Sequence, residues 1–364
     1  MANDLICDSK VLVTGGAGFI GSNLVDKLLS QNNQVVCLDN FSTGKIENLD
    51  QAIKNRLFTL IEGDIRDYGD CKDAVAGCEY VLHQAALGSV PRSIDNPVIS
   101  TEVNIIGFVN MLTASVEAKV KRFIYASSSS VYGDSAILPK VEHKTGLGLS
   151  PYAITKNVNE QFARNFSELY GIETIGLRYF NVYGNRQDPN GAYAAVIPKF
   201  FLSFIEHNSP VIYGSGDISR DFTYIEDVLW AIEKAAVINS ERIIKRQDSF
   251  YTLNGINYKQ PASGAISEVF NVAYGSRTIL TKLAKLIREK LSNYDSQIKD
   301  IEILHGESRK GDIQHSLASV DKLKGILGYY PKYDLNSGLE KTAKWYFETF
   351  GKRNQQGPGI IFKD

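Results

Sequence analysis

Residues 10–40 read KVLVTGGAGFIGSNLVDKLLSQNNQVVCLDN, in which an apolar run, a glycine-rich turn, a helical pattern and a second apolar run follow one another. Gly15, Gly18 and Gly21 are spaced three residues apart, and the second apolar run ends on Asp39. Glycines let a pyrophosphate approach the backbone, and the helix that follows presents free N–H groups to it. The order of these features predicts a Rossmann-type dinucleotide site.

The acidic residue at the tip of the second strand indicates which cofactor to expect. Asp39 is placed to bind both ribose hydroxyls of an adenosine, whereas a 2′-phosphate would meet its negative charge. We therefore predict NAD as the cofactor rather than NADP. The alternative is a tight strand–helix turn that binds no ligand.

Composition narrows the range of partners and locations. The chain has 364 residues, a formal net charge of −1 and no long block of one sign, so we expect neither a nucleic-acid nor a membrane partner. No apolar run approaches a membrane span, and residues 1–9 contain no apolar signal region. Cys7, Cys37, Cys71 and Cys78 lack metal-type spacing, so no metal site is predicted and a cytoplasmic, reducing location is expected.

Strand and helix patterns alternate through the first half of the chain, which favours an α/β fold with a doubly wound parallel sheet. After the first two strands, further strands are predicted at Leu57–Glu62, Tyr80–Gln84, Arg122–Ala126 and Glu173–Arg178. The predicted helices lie around Lys45–Ile53, Pro97–Ala118, Tyr152–Tyr170, Ile225–Ile238, Leu280–Leu291, Val320–Leu327 and Leu339–Phe347.

The chain is interpreted as two domains and a tail. Residues 1–182 form the predicted NAD-binding Rossmann domain, to which the chain is expected to return later. Residues 183–350 form mainly a smaller, mixed α/β substrate domain, which closes over the carboxyl ends of the parallel strands, where open α/β sheets bind ligands. Within it, the polar segment Glu241–Gly264 is predicted to be a loop or hairpin, and residues 351–364 are interpreted as the tail.

A tyrosine–lysine pair is distinguished by its context rather than by its spacing. Tyr152 and Lys156 share a helix face at positions i and i+4, but Tyr68 and Lys72 repeat that spacing. Only Tyr152 follows a Ser-Pro helix start and lies downstream of a serine-rich strand end, residues 127–130. Such a strand end can present a hydroxyl at the carboxyl edge of the sheet, beside a nicotinamide.

The same context suggests how Tyr152 would act. A nearby ammonium and an oxidised nicotinamide both favour the tyrosinate, so we expect the pKa of Tyr152 to be lowered towards neutrality and the residue to transfer protons. The alternative is an ordinary surface pair on an amphipathic helix.

From Lys10 to about Tyr346 the chain resembles the extended short-chain dehydrogenase/reductase family, within its nucleotide-sugar epimerase and dehydratase group. The motifs that carry the resemblance are Thr14–Gly21, Leu38–Asn40, Gly63–Asp67, His83–Ala86, Tyr152 with Lys156, Leu177–Gly184, Ser219–Phe222 and Arg309–Asp312.

This resemblance implies a tightly held NAD, a UDP-sugar substrate, a homodimer formed through a helix bundle, and catalysis by Ser128, Tyr152 and Lys156. The residues that it places at the cofactor are Gly15, Gly18, Phe19, Ile20, Gly21, Asp39, Asn40, Ser42, Thr43, Gly44, Asp64, Ile65, Gln84, Ala85, Ala86, Tyr152, Lys156, Tyr179 and Val182. The residues that it places at the substrate are Ser89, Ser128, Ser129, Asn181, Ala195, Val196, Arg220, Arg309, Asp312 and Ser316.

Ser129 and Ser130 favour one reaction within this group. Its dehydratases carry an Asp-Glu pair just before the Val-Tyr-Gly motif, and its decarboxylases carry a glutamate there. A serine hydroxyl does not replace a carboxylate as a general base at neutral pH, so both reactions are disfavoured. The reaction that remains is 4-epimerisation through a transient 4-keto sugar.

Residues 87–93, 127–130 and 311–316 resemble epimerases that prefer N-acetylated UDP-hexosamines. They predict interconversion of UDP-GlcNAc and UDP-GalNAc, supplying precursors for a surface polysaccharide. Two alternatives stay open: a 4-epimerase of UDP-N-acetylglucosaminuronic acid, and a non-catalytic NAD-binding scaffold, although such scaffolds tend to lose the tyrosine or the lysine.

Ser316 aligns with the family's gate position beside the C2 substituent of the sugar. A small residue there leaves room for an N-acetyl group, whereas a tyrosine restricts the site to the unsubstituted hexose. The alternative is that Ser316 caps the helix that follows it.

Overall fold

The computed structural model describes residues 5–190, 194–307 and 314–351. Its central sheet has seven strands, which we label β1 (Lys10–Thr14), β2 (Gln34–Asp39), β3 (Phe58–Glu62), β4 (Tyr80–His83), β5 (Arg122–Ser128), β6 (Glu173–Tyr179) and β7 (Ser267–Val272). All neighbouring strands are parallel, in the order β7-β6-β5-β4-β1-β2-β3. The chain runs outwards from β1 in one direction and then crosses back to β4, which confirms the predicted doubly wound α/β fold.

Helices cover both faces of the sheet, which explains why its strands are apolar runs rather than alternating patterns. Val11 and Val13 of β1 face one apolar layer, and Leu12 between them faces the other. The first layer includes helix Phe19–Ser30, and the second includes helix Tyr68–Val75. Burial on both sides thus fixes the register of each strand.

The other elements complete the chain. The helices are Phe19–Ser30, Tyr68–Val75, Val90–Asp95, Pro97–Thr101, Gly107–Glu117, Pro151–Tyr170, Val196–Ile205, Ile225–Val237, Ser240–Leu253, Leu280–Ser292 and Leu335–Tyr346. The 3₁₀ turns are Ile46–Leu49, Ala52–Lys54, Ser129–Tyr132 and Ser296–Asp300, and the π turns are Glu102–Ile106, Leu323–Leu327 and Phe347–Gly351. Short strand pairs join Val182–Tyr183 with Thr223–Tyr224, Ser219–Asp221 with Arg277–Ile279, and Val211–Tyr213 with Leu304–Gly306.

The helix that carries Tyr152 is defined at both ends by the sequence. The Ser150 hydroxyl accepts a hydrogen bond from the Ala153 N–H at 3.1 Å, and Pro151 takes the first helical position, where its missing N–H costs nothing. Helix Pro151–Tyr170 ends at Gly171, whose φ of 71° lies in the left-handed region that favours glycine.

Residues 45–53 do not form the predicted helix but two separate 3₁₀ turns. Their backbone is tied to the glycine turn: the Lys45 N–H donates to the Ala17 carbonyl at 3.0 Å, and the Asn48 side-chain amide donates to the same carbonyl at 2.8 Å. Local apolar spacing cannot reveal such a non-local tether.

The prediction of a loop or hairpin over Glu241–Gly264 is wrong for its first half, because Ser240–Leu253 is a helix capped by Asn239. Its buried residues are Ile243, Gln247 and Tyr251. The buried stripe was missed because a glutamine stands at its centre.

That helix lies beside β7, which forms one edge of the sheet. Gln247 and Tyr251 each donate a hydrogen bond of 2.7 Å to the buried carboxylate of Glu268, which also pairs with Lys322. The helix is therefore held by polar contacts to the edge strand, a partner that periodicity alone does not identify.

Pro97–Glu117 departs from the expectation that no run approaches a membrane span. Among the described residues, this segment is the one helix whose length and apolar composition would allow it to cross a membrane. However, 44 % of its apolar window is buried inside the protein, and Phe108, Met111 and Leu112 pack in the same apolar layer as Phe123 of β5. One face of this helix is therefore packed in the core of the protein.

We expect Gly21→Ala to destabilise the fold. A Cβ at Gly21 would lie 2.1 Å from the carbonyl oxygen of Gly15, so the first helix must move off the turn. Overpacking of this kind typically costs about 1–3 kcal/mol, and thermal denaturation should show a lower midpoint. Gly88→Ala is the matched control, because an added Cβ there meets no atom within 4 Å. Equal midpoints for the two variants would contradict the prediction.

Candidate active site

A cavity of about 710 Å³ opens at the carboxyl ends of the parallel strands, where the sheet order reverses between β1 and β4. The predicted cofactor residues that line it are Gly15, Gly18, Phe19, Ile20, Gly21, Asp39, Asn40, Ser42, Thr43, Asp64, Ile65, Gln84, Ala85, Ala86, Tyr152, Lys156, Tyr179 and Val182. Gly44 is not among the lining residues. A Cβ on Gly44 would lie 2.7 Å from that of Ala17, so it supports the turn from behind.

The glycine turn brings three strands and a helix together. Gly15 has a φ of +67°, and a Cβ there would lie 2.8 Å from the backbone of Ala85. The Gly15 N–H donates to the Leu38 carbonyl at 2.8 Å. Gly18 begins the first helix without a side-chain cap, so the free N–H groups of the helix N-terminus can bind an anion.

Two carboxylates lie at the ends of β2 and β3. Asp39 accepts hydrogen bonds from the Ala17 N–H at 2.9 Å and from the Phe41 N–H at 2.8 Å, and burial raises the pKa of Asp39. The Arg66 guanidinium lowers the pKa of Asp64 to about 2. Asp39 therefore orders the turn as well as lining the cavity.

Gln84 supplies an observation that fits a bound cofactor. Its side-chain oxygen accepts a hydrogen bond from the Tyr179 hydroxyl at 3.0 Å, while its buried Nε2 has no partner among the described residues. A buried donor without a partner is costly unless a ligand accepts from it. Together with the free helix N-terminus, it makes the cavity suited to a dinucleotide.

Ser128, Tyr152 and Lys156 meet in this cavity. The Tyr152 hydroxyl is hydrogen-bonded to the side chain of Ser128. Lys156 is 2 % exposed, its Nζ donates to the Ala126 carbonyl at 2.8 Å, and it lies 5.9 Å from the centre of the Tyr152 ring. By contrast, Tyr68 and Lys72 do not line this cavity.

The residues of the chain alone do not produce the expected lowering of the Tyr152 pKa. Burial raises the pKa of Tyr152, and the hydrogen bond with Ser128 opposes this only in part. Burial also lowers the pKa of Lys156, to about 8. The Lys156 ammonium is aimed at the Ala126 carbonyl rather than at the Tyr152 phenol. This explains why the positive charge of the lysine does not outweigh the effect of burial on the pKa of Tyr152.

The serine-rich segment turns sharply at the end of β5. Ser128 is the last residue of the strand, and its hydroxyl accepts hydrogen bonds from the N–H of Ser130 at 3.1 Å and from the Ser130 hydroxyl at 2.9 Å. The 3₁₀ turn Ser129–Tyr132 follows, and Ser129 lines the cavity. A local hydroxyl network thus holds Ser128 at the carboxyl edge of the sheet.

Apart from Ser316, the predicted substrate residues fall into three groups. Ser89, Ser128, Ser129, Asn181 and Ala195 line the main cavity. An adjoining cavity of about 300 Å³ shares Asn181 and Ala195 and adds Val196 and Arg220. Arg309 and Asp312 lie outside the described residues.

Ser316 lies beside the strand of Arg220 but lines neither cavity. It is partly buried, and its N–H donates to the Ser219 carbonyl at 3.0 Å. The alternative role as a helix cap is wrong, because the next helical segment begins at residue 321 and the Ser319 hydroxyl accepts the N–H of Asp321 at 3.3 Å.

Gln187 is a lining residue that the sequence analysis missed. Its Nε2 donates to the Val182 carbonyl at 3.0 Å, and its buried Oε1 has no partner among the described residues. Its position three residues after the Leu177–Gly184 motif was the available signal. Arg92, within the stretch 87–93, also lines the cavity although no role was predicted for it.

The relatives found by comparison with known proteins include several named as 4-epimerases of UDP-sugars. A putative UDP-glucose 4-epimerase of Methanocaldococcus jannaschii is 34 % identical over 337 residues, 92 % of this chain and 97 % of that protein. The structure of UDP-N-acetylglucosamine 4-epimerase from Methanobrevibacter ruminantium M1, in complex with UDP-N-acetylmuramic acid, has a TM-score of 0.82 at 36 % identity and covers 94 % of this chain and 100 % of that chain. UDP-glucuronic acid 4-epimerase from Bacillus cereus, in complex with UDP-glucuronic acid and NAD, has a TM-score of 0.75 at 28 % identity and covers 94 % and 100 %.

Two family models match the chain. One, described as the QacR-like protein C-terminal region, matches only residues 230–348, a stretch that contributes β7 to the central sheet. The other, described as the NAD dependent epimerase/dehydratase family, matches residues 11–243, more than half of the chain. This match and the whole-chain relatives confirm the resemblance found in the sequence: the chain belongs to the NAD-dependent epimerase/dehydratase family, within the extended short-chain dehydrogenases/reductases.

Proposed function

We propose that this protein interconverts UDP-GlcNAc and UDP-GalNAc by epimerisation at C4. The protein is an NAD-dependent UDP-sugar 4-epimerase, and the N-acetylhexosamine preference is the further step. The observation that carries the proposal is the lining of the cavity that contains Tyr152, which includes the small residues Ser89, Ser128, Ser129 and Ala195. Small side chains leave room for an acetamido group, and the three serines offer hydroxyls to it.

The distribution of carboxylates supports epimerisation over elimination or decarboxylation. Among the described residues that line the cavity, the acidic ones are Asp39 and Asp64, and both lie at the ends of β2 and β3. Ser129 occupies the position where the other reactions use a carboxylate. The acid–base work therefore falls to Tyr152 with Ser128.

The residues divide the reaction as follows. Tyr152 takes the proton of the sugar O4 through its phenolic oxygen, Ser128 holds that oxygen by a hydrogen bond, and Lys156, held by the Ala126 carbonyl, supplies a positive charge near the Tyr152 ring. Bound NAD supplies a reversible acceptor for the C4 hydride. Tyr152 then returns the proton to O4 once the 4-keto sugar has turned over; because bound NAD would accept and give back the same hydride, there is no net oxidation.

Gln84, the free N–H groups in the first turn of helix Phe19–Ser30 and the carboxylate of Asp39 are the groups that would hold this cofactor. Their places along the cavity match a dinucleotide that runs from the adenosine end at β2 to the nicotinamide end at β5.

One observation favours a second candidate, a UDP-N-acetylhexosaminuronic acid. Arg92 lines the cavity with Ser89, and a guanidinium is well suited to a sugar carboxylate. A non-catalytic scaffold is disfavoured because Ser128, Tyr152 and Lys156 are all present and assembled. These three hypotheses can be distinguished by NMR. The enzyme is incubated without added cofactor, in separate reactions, with UDP-GlcNAc, UDP-Glc and UDP-GlcNAc-uronate, and the products are identified.

The proposal extends to the setting of the enzyme. Exposed apolar side chains on helices Pro97–Glu117 and Pro151–Tyr170 support a homodimer formed through these helices; they include Val98, Ile106, Ile154 and Leu169. A cytoplasmic enzyme that supplies precursors for a surface polysaccharide fits this activity. In this proposal, residues 1–182 form the cofactor domain and residues 183–350 form mainly the substrate domain.

Tyr152→Phe should lower epimerase kcat by about 100- to 10,000-fold, because only the phenolic oxygen exchanges the O4 proton. NAD content and thermal stability should stay near those of the wild type, since the ring still packs. Tyr68→Phe is the matched control and should be silent, because Tyr68 does not line the cavity. Near-normal turnover of Tyr152→Phe with NAD bound would reject the assignment.

The purified protein should carry NAD and not NADP. Asp39 lies at the cavity wall, and its charge opposes a 2′-phosphate. Denaturing the protein and identifying the released dinucleotide by mass spectrometry checks this. NADP as the main species would mean that Asp39 acts only in ordering the glycine turn.

Ser316→Tyr should reduce activity on UDP-GlcNAc sharply while activity on UDP-Glc persists or rises. The resemblance places Ser316 beside the C2 substituent, so a ring that extends from this position beside the Arg220 strand is expected to crowd an acetamido group, and a packed site does not absorb such crowding. Initial rates on the two sugars, with the thermal midpoint as a check on folding, test the gate. Equal loss on both sugars would reject it.

A further inference from the structure

A buried ion pair stands directly behind the acid–base residues. Glu160 accepts two hydrogen bonds from Arg178, from Nε at 2.9 Å and from Nη2 at 2.7 Å. The side chains of Glu160 and Arg178 are 13 % and 4 % exposed. The Ser127 hydroxyl donates to the same carboxylate at 2.5 Å. Three separate elements, helix Pro151–Tyr170, β5 and β6, are therefore joined at one carboxylate.

This carboxylate lies on the face of the helix that carries the reactive groups. Glu160 follows Lys156 by four residues and Tyr152 by eight, so the three side chains succeed one another along one face. Lys156 donates to the carbonyl of Ala126, the residue before Ser127. Lys156 and Glu160 are thus hydrogen-bonded to the same end of β5, Lys156 at Ala126 and Glu160 at Ser127.

Glu160 is also the anion that faces Lys156. From its own helix Lys156 meets Tyr152 and Glu160; from β4 it meets His83, which is buried and whose pKa is lowered to about 3, so it is neutral. Tyr125 of β5 lies near Glu160, and burial keeps its pKa well above the ordinary value, so it is uncharged.

Charges from β6 do not replace Glu160. Arg178 is a cation that Glu160 itself neutralises. Burial lowers the pKa of Lys156, and Glu160 is the charge that opposes this. Without Glu160, burial and the uncompensated Arg178 would both disfavour the ammonium.

We infer that Glu160 is a positioning residue for the epimerisation, which joins the strand end of Ser127 and Ser128 to the helix and keeps Lys156 charged beside Tyr152. The inference rests on the proposed function. The ammonium is lost as pH rises through the pKa of Lys156, so a lower pKa moves the alkaline limb of kcat to lower pH. Glu160 therefore extends activity to higher pH.

The role of Glu160 in keeping Lys156 charged must be separated from a purely structural role. A second ion pair in the chain serves as the control. Arg122 and Glu173 form a second ion pair between β5 and β6, at the opposite, amino ends of these strands, with side chains 5 % and 20 % exposed. Losing one partner of a buried pair is destabilising in either place. Only Glu160 faces Lys156.

The test compares Glu160→Gln with Glu173→Gln in the full-length, NAD-loaded enzyme. For Glu160→Gln, the alkaline limb of kcat should move down by about one pH unit, as expected for the loss of an opposite charge nearby. At a pH near 8 this lowers kcat roughly fivefold, with little change in KM. Glu173→Gln should lower the thermal midpoint and leave the pH profile as in the wild type. Superimposable profiles for Glu160→Gln and the wild type would overturn the inference.

A second measurement does not depend on activity. In protein labelled with ¹³C-lysine, the Lys156 resonance, identified by its absence in Lys156→Met, should titrate at lower pH in Glu160→Gln. An unshifted titration overturns the inference. An inactive wild type would instead reject the proposed function and leave this titration to be judged by itself.

If Glu160→Gln does not fold, the double variant Glu160→Gln/Arg178→Gln removes both charges and leaves no unpaired buried ion. Its alkaline limb should still move to lower pH, though by less than in Glu160→Gln, because the repulsion from Arg178 is lost together with the attraction of Glu160, and Glu160 is the charge that acts on Lys156. An unchanged limb in the folded double variant counts against the inference in the same way.

Discussion

The contact between the first helix and the glycine turn is the constraint on which the site depends. The carbonyl oxygen of Gly15 occupies the space where a side chain on Gly21 would begin, so the helix starts directly against the carboxyl end of β1. Its N–H groups and the switch point of the sheet then share one crevice. Because parallel strands all end on the same side of the sheet, the last residues of β4, β5 and β6 also lie at that crevice.

The pairing of β5 with β6 sets the chemistry inside this crevice. The register places Ser127 opposite Arg178 and Ser128 opposite Tyr179. One register therefore positions both the hydroxyl that contacts Tyr152 and the ions that support it. A slip by one residue would reverse the faces of the strand, so fold and chemistry are specified by the same alternation.

Much of this was predictable from local sequence, and the failures share a cause. Strands β1 to β6 and helix Pro151–Tyr170 were found within two residues of their observed bounds, because apolar runs, Pro151 and Gly171 are local signals. Residues 45–53 and the helix Ser240–Leu253 were misjudged. Each depends on a partner distant in sequence: the Ala17 carbonyl for the first and the Glu268 carboxylate for the second.

The covering of β7 has a consequence for the behaviour of the protein in solution. On this edge strand, the Ser267 carbonyl accepts from Tyr258 at 3.4 Å, the Val269 carbonyl accepts from Lys322 at 2.9 Å, and the Asn271 N–H donates to Glu142 at 2.9 Å. Backbone groups that would otherwise recruit a strand from another molecule are occupied by side chains. The edge of the sheet is thereby closed to strand addition, which guards a long parallel sheet against aggregation.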